Sequence, residues 1–254
     1  MRVRLTKDSG ARERWWLSSE LSKEVFPDLV VYQPQKGYRF SIDAFLLADF
    51  VRLKPRERAL ELGAGCGIVS LFLAKRFPET LFVALEIQER LLRCLALNIR
   101  ENHLERRVLA VRGDLRTPPF RAGAFDVVFT NPPFYPVGRG RLSPLEEERL
   151  ARHEILATLP EITKTASLLL KNRGRFVIIY PASRLVELFA HLEKFRLQPK
   201  VLQVIYSYPG DEGRLVRVEA VKGAGKELKI RPPFFIYQHP GGPYTPEAEG
   251  LFAP

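Results

Sequence analysis

From residue 56 to about residue 221, short apolar runs alternate with longer amphipathic ones, and no other feature of the chain restricts its fold so strongly. A strand that is apolar on both faces needs cover on both faces, which helices laid against a largely parallel sheet provide. The runs at 58–62 (RALEL), 81–86 (LFVALE), 108–112 (VLAVR), 125–130 (FDVVFT), 174–180 (GRFVIIY), 200–206 (KVLQVIY) and 214–221 (RLVRVEAV) are read as strands. Helical spacing of apolar residues marks 66–76, 88–101, 147–170 and 182–194. The expected architecture is α/β: a seven-stranded, mostly parallel sheet with helices on both faces. Its last two strands, joined by a loop with Pro209, Gly210 and Gly213, form an antiparallel edge pair.

Residues 1–55 are read as an N-terminal extension, with a turn at Gln35-Lys36-Gly37 and a helix from Ile42 to Val51. Residues 56–254 form the main domain. Its 136–146 loop is expected to be mobile without substrate, and its tail to hold one strand near 227–237 with little regular structure beyond.

The first strand runs into Glu61-Leu62-Gly63-Ala64-Gly65-Cys66-Gly67 and then directly into a helix. Glycines there let the backbone come close to a ligand, and the helix start behind them offers free N–H groups. The spacing is GxGxG, with Ile68 where a dinucleotide-type third glycine would stand, which points away from a nicotinamide pyrophosphate. Glu86 ends the second strand, where an acid can accept from both hydroxyls of a ribose. Asp114 follows the third, where a carboxylate can accept from an adenine amino group. Each feature alone also fits a tight turn or a strand-end cap; their order along three successive strands suggests one nucleoside-like ligand.

The fourth strand ends in Asn131-Pro132-Pro133-Phe134. Two prolines stiffen the chain as it leaves the sheet. The Asn131 side-chain carbonyl and the Pro132 main-chain carbonyl can both accept from one NH2 group, and Phe134 offers a face to a flat base. Such acceptors favour an amine geometry with an available lone pair and stabilise the charge that develops on methyl transfer. No side-chain base is required, because the proton can leave afterwards. A plain strand cap is the alternative.

Together these residues resemble the Rossmann-like class I methyltransferases of the type that methylates planar amino groups, over roughly residues 56–220. The resemblance implies S-adenosyl-L-methionine as cofactor. It leaves adenine N6, guanine N2 of ribosomal RNA and a protein glutamine amide open as acceptors. The segment Gln33 to Ala48 (QPQKGYRFSIDAFLLA), Ala151-Arg152-His153-Glu154 and Tyr244-Thr245-Pro246-Glu247 are most similar to the bacterial family of tRNA(Val) adenine-N6 methyltransferases acting beside the anticodon. Carried over position by position, this implies cofactor contacts at Glu61, Gly63, Ala64, Gly65, Gly67, Glu86, Ile87, Asp114, Leu115 and Asn131, with Phe40 and Asp43 enclosing the cleft. Asn131, Pro132 and Phe134 would be catalytic. Tyr38, Pro133, Phe134, Tyr135, Arg139, Arg141 and Arg152 would meet the substrate. Lys222, Lys226, Lys229 and Arg231 in the tail would meet RNA phosphates.

The resemblance implies an RNA partner, tRNA in particular, and the charge balance is compatible with a polyanion: 40 Lys plus Arg against 29 Asp plus Glu leave +11. Such a surplus is expected to gather around the Asn131 cleft. Two cysteines without a CxxC, and four histidines, point to neither disulfides nor a metal site. With no apolar leader and no membrane-length run, a cytoplasmic monomer is expected. A cofactor-binding RNA assembly factor without catalysis is the non-enzyme alternative.

Overall fold

The computed structural model describes residues 21–36, 39–132 and 157–253. The chain begins with a hairpin, β1 (Leu21–Phe26) and β2 (Leu29–Pro34), followed by α1 (Ile42–Phe50). Then come β3 (Arg58–Leu62), α2 (Ile68–Arg76), β4 (Leu81–Glu86), α3 (Glu89–Glu101), β5 (Val108–Arg112) and β6 (Phe125–Thr130). After the undescribed stretch follow α4 (Leu159–Leu169), β7 (Leu170–Pro181), α5 (Leu185–Lys194), β8 (Leu197–Tyr206) and β9 (Gly213–Lys222). The tail holds β10 (Lys229–Ile230), β11 (Phe234–Phe235) and a short α6 (Pro246–Glu249).

The sheet order is β10-β8-β9-β7-β6-β3-β4-β5, with β11 also on β8. Strands β7, β6, β3, β4 and β5 are parallel neighbours, while β9 runs antiparallel between β7 and β8. The seven expected strands are therefore present, but the sheet has nine, because two short tail strands cover the outer edge of β8. The single tail strand expected near 227–237 is broken because Pro232 and Pro233 carry no N–H to continue the ladder.

Alternation along the strands divides the apolar residues into two cores. In β7, Val177 and Ile179 join α1, α2, α3 and the hairpin, whereas Phe176, Ile178 and Tyr180 join α4 and α5. The N-terminal extension thus shares a core with the sheet. Its hairpin, which the sequence reading did not anticipate, is docked by two asparagines one helical turn apart on α3. Asn98 accepts from Tyr32 N at 2.7 Å and donates to Tyr32 O at 2.8 Å, while Asn102 does the same with Val30 at 2.9 and 2.6 Å. The two amides satisfy the free edge of β2 as a further strand would.

Helix starts also differ from the periodic pattern in two places. Gly67 stands in the left-handed region at φ +88° and caps α2, so that helix begins at Ile68, and a side chain at 67 would run into Leu95. Within 147–170, the described helix starts at Leu159 because Thr158 and Glu161 form a capping box, with Pro160 in the first turn. Residues 147–156 lie outside the described residues.

Candidate active site

The parallel register places Leu62, Glu86, Arg112 and Thr130 along one rim of the sheet, at the carboxyl ends of β3, β4, β5 and β6. Open α/β sheets bind ligands at this rim. The glycine turn is strapped to it. Gly63 N and Ala64 N both donate to Leu85 O at 3.0 Å, and Gly65 N donates to Glu86 Oε2 at 2.8 Å. Gly63, at φ +69°, has no heavy atom within 4 Å of where a Cβ would stand, so the turn opens onto free space.

Two buried acids face this turn. Glu86 accepts from Gly65 N and, through Oε1, from Gln88 N at 2.8 Å; each oxygen keeps a further lone pair for a ligand. Burial raises its carboxyl above the usual range despite these N–H donors. Glu61 accepts from the Ser70 amide at 3.1 Å and from the Ser70 hydroxyl. Burial pushes it to about 8, and the neighbouring Glu86 adds to the rise. A buried carboxyl with spare lone pairs beside an open glycine turn suits a hydroxyl-bearing ligand such as a ribose, and the residues therefore fit S-adenosylmethionine.

Asp114 lies at the expected strand end but is already held. Both of its oxygens accept from Arg116 Nε, at 3.0 and 2.9 Å, and this partner holds its carboxyl below the usual range. Ile87 and Leu115, the neighbours of the two acids, are half-buried on the same rim. Phe40 packs in an aromatic cluster, with ring centroids 5.9 Å from Phe45 and 6.4 Å from Phe26, and its amide donates to the buried Gln33 side chain. Asp43 sits in the first turn of α1, mostly buried, with its carboxyl raised by desolvation.

Asn131 is half-buried and Pro132 buried. What positions them is a contact the sequence reading missed: Thr130 Oγ1 donates to Leu62 O at 2.8 Å, tying the β6 end to the residue before Gly63. Asn98 was missed as well. Besides docking β2 it donates to Cys66 O at 2.9 Å, linking the hairpin to the glycine turn. A polar residue on the apolar face of a strongly amphipathic helix was the available signal. Tyr38, Pro133, Phe134, Tyr135, Arg139, Arg141 and Arg152, together with the 136–146 loop, lie outside the described residues.

Two of the tail cations, Lys222 and Lys226, are engaged away from the cleft. Lys222 pairs with Leu197 at the opposite end of the sheet, where its ammonium donates to the carbonyls of Ser167 and Leu170. Lys226 pairs with Glu193 at 2.8 Å at the end of α5. Lys222 thereby finishes α4, whereas Lys226 is held by an exposed ion pair. The closing Tyr244-Thr245-Pro246-Glu247 segment is a tether: Thr245 caps α6, and Tyr244 stacks on Tyr237 at 5.1 Å and packs against Phe252, which meets Phe45 of α1. Among the described residues no helix is long and apolar enough to cross a membrane, and no cluster of three metal-ligating side chains is found.

Comparison with known proteins agrees with this geometry. The chain is 28% identical over 227 residues to a tRNA1(Val) (adenine(37)-N6)-methyltransferase of Porphyromonas gingivalis, covering 85% of this chain and 88% of that one. It is 26% identical to a protein of the same name from Dyadobacter fermentans, covering 89% and 93% of the two chains. A predicted O-methyltransferase from Agrobacterium tumefaciens superimposes with a TM-score of 0.67 at 21% identity, over 82% of this chain and 94% of that one, which supports the Rossmann-like fold. The family model described as the methyltransferase small domain matches residues 40–184. That stretch runs from Phe40 through the strand ends Leu62, Glu86, Arg112 and Thr130, and the chain belongs to this family of S-adenosylmethionine-dependent methyltransferases.

Proposed function

We propose that this enzyme methylates the exocyclic N6 amino group of an adenine in tRNA, next to the anticodon. The observation that carries the reading is the Thr130–Leu62 hydrogen bond, which sets Asn131 and Pro132 against the glycine turn. The names of relatives that align over most of the chain support the choice of adenine and tRNA, and the basic charge supports a nucleic acid over a protein acceptor.

S-adenosylmethionine, when bound, supplies an electrophilic methyl group. Gly63 and Gly65 leave the space for it while Gly67 turns the chain into α2, the spare lone pairs of Glu86 accept from ribose hydroxyls, and Asp114 accepts from the adenine amine while Arg116 keeps it ionised. Glu61, held by the Ser70 amide and hydroxyl, ties the end of β3 to the first turn of α2. Ala64, Ile87 and Leu115 line the same cleft, with Phe40 and Asp43 at its cover. Asn131 Oδ1 and Pro132 O hold the two hydrogens of the substrate amine, so its lone pair faces the methyl group in line. Phe134 stacks on the base, with Tyr38, Pro133 and Tyr135 beside it and Arg139, Arg141 and Arg152 on flanking phosphates. A loop base already out of its stack keeps entry inexpensive. One chain carries every named group, so a cytoplasmic monomer suffices, without metal.

The test offers tRNA, ribosomal RNA and a release factor in parallel with labelled cofactor, followed by nucleoside mass spectrometry. N6-methyladenosine in tRNA is expected. Label in the protein acceptor or in guanine overturns the reading.

A further inference from the structure

The C-terminal end of α1 and the tail meet around one aromatic ring. Arg231 is exposed, and its guanidinium carbon lies 5.0 Å from the centroid of Phe50. It has no acidic partner among the described residues. Arg217, 1% exposed, lies 5.1 Å from the same ring and 4.9 Å from Phe234 of β11. It donates to Leu46 O at 2.7 Å, Asp49 Oδ2 at 2.9 Å and Gln203 Oε1 at 2.5 Å. Arg52 is exposed and, among the described residues, its guanidinium engages through Nη1 with the carbonyls of Asp49 and Val51 at the end of α1. The nearby acids Glu57 and Glu219 are taken by Arg175. The cluster therefore has Asp49 as its one carboxylate among the described residues, and Asp49 is shared with Arg76 at 4.0 Å.

We propose that Arg231, over the Phe50 ring, and Arg52, at the end of the same helix, form a binding site for a phosphate of the RNA backbone, separate from the catalytic cleft. The inference rests on the RNA reading above. A guanidinium held over a ring presents its donor fork with less freedom left to lose, and that fork matches a phosphate. The surplus is felt inside the protein as well: burial pushes Arg217 down to about 10, and the charges of Arg231 and Arg52 lower it further against the opposing pull of Asp49. An anion outside would relieve this repulsion. The position suits a phosphate remote from the target base. Helix α1 starts beside Asp43 at the cleft and its length carries Phe50 about 12 Å away along the flank. This placement also explains where part of the +11 lies, since it is not confined to the Asn131 rim.

The experiment measures tRNA binding by the full chain across a salt series, beside methyl transfer to the same tRNA. Arg231→Ala is expected to reduce the slope of log K against log salt by about 1, and the Arg52→Ala/Arg231→Ala pair by about 2. Arg231→Lys, which keeps the charge, should restore most of the slope, and thermal denaturation checks that each variant is folded. If the parent methylates tRNA while Arg231→Ala keeps its full affinity and slope, the site is wrong and the function stands. If the parent neither binds nor methylates tRNA, both fall. Titration with inorganic phosphate separates the sources: tight phosphate binding lost in Arg231→Ala, with tRNA binding unchanged, assigns a small-anion site and overturns the RNA one.

Discussion

The hydroxyl of Thr130 donates to the main-chain carbonyl of Leu62 at 2.8 Å, joining the end of the strand before Asn131 to the end of the strand before Gly63. Both groups are buried, so the bond is protected from water, and it couples the Asn131-Pro132 turn to the glycine turn across adjacent strands. Thr130→Val keeps the shape and removes the donor. It should cost about 1–2 kcal/mol of stability and lower kcat more than it raises the KM for cofactor. Thr130→Ser should recover kcat. Equal effects of Val and Ser on kcat would remove Thr130 as a positioning residue.

Asn131 is half-buried at the rim, and its assigned partner is the substrate. Asn131→Ala should therefore lower kcat by on the order of 100-fold or more while leaving the melting temperature and cofactor affinity close to the parent. A variant that keeps full turnover would show that the amine is held by other groups.

Asn98 is fully buried and serves three partners, Tyr32 N, Tyr32 O and Cys66 O. Asn98→Ala should destabilise the fold by about 2–4 kcal/mol and weaken cofactor binding, because the glycine turn loses its support. Asn102→Ala frees Val30 but leaves Cys66 O engaged. It should speed hydrogen exchange in β2 with a smaller effect on cofactor affinity. Calorimetric titration of both variants distinguishes docking of the hairpin from support of the turn.

The pH dependence follows from Glu61. Its folded value, about 8, exceeds the ordinary 4.5, so the native state binds more protons than the unfolded chain between these limits. The stability this contributes is fully present below about 4.5 and is lost as pH rises through about 8. Glu86, raised in the same direction, adds to the slope. Urea unfolding of the cofactor-free enzyme should show stability falling over this window, and Glu61→Gln should flatten the curve. A parent curve that rises over the same range would contradict the assignment.

Arg217 links β9 to α1 and to the tail through Asp49, Leu46 O, Phe50 and Phe234. Arg217→Ala leaves buried acceptors unpartnered and should cost about 3–5 kcal/mol. Limited proteolysis should then cut after the β9 end, in the tail, well before the sheet. Retention of parental stability would mean that the tail is held chiefly by the Phe45–Phe252 and Tyr237–Tyr244 contacts.

Seven strand positions, and the order of Gly63, Glu86, Asp114 and Asn131 along them, were legible because a buried parallel strand writes itself as a continuous apolar run and a ligand turn as spaced glycines. The hairpin was not. The β1 and β2 runs are short and half polar, and β2 is completed by Asn98 and Asn102, some 66 and 72 residues away, not by a strand neighbouring in sequence. The tail strand was placed correctly but divided, since Pro232 and Pro233 interrupt its ladder. For Lys222, a cation beside a basic run gave no hint that its nearest acceptors are carbonyls at the end of α4.

Local pattern by itself determined the fold class and marked the glycine turn and the Asn131-Pro132 strand end as the candidate site, because each depends on residues adjacent in the chain. Tertiary structure alone decided which polar groups support them. Thr130 meets Leu62, Asn98 meets Cys66, and Arg217 meets Asp49 across 68, 32 and 168 residues. The need of a buried donor or acceptor for a partner can be read in one residue, but the partner itself is chosen by the packing of strands and helices that bring distant residues together.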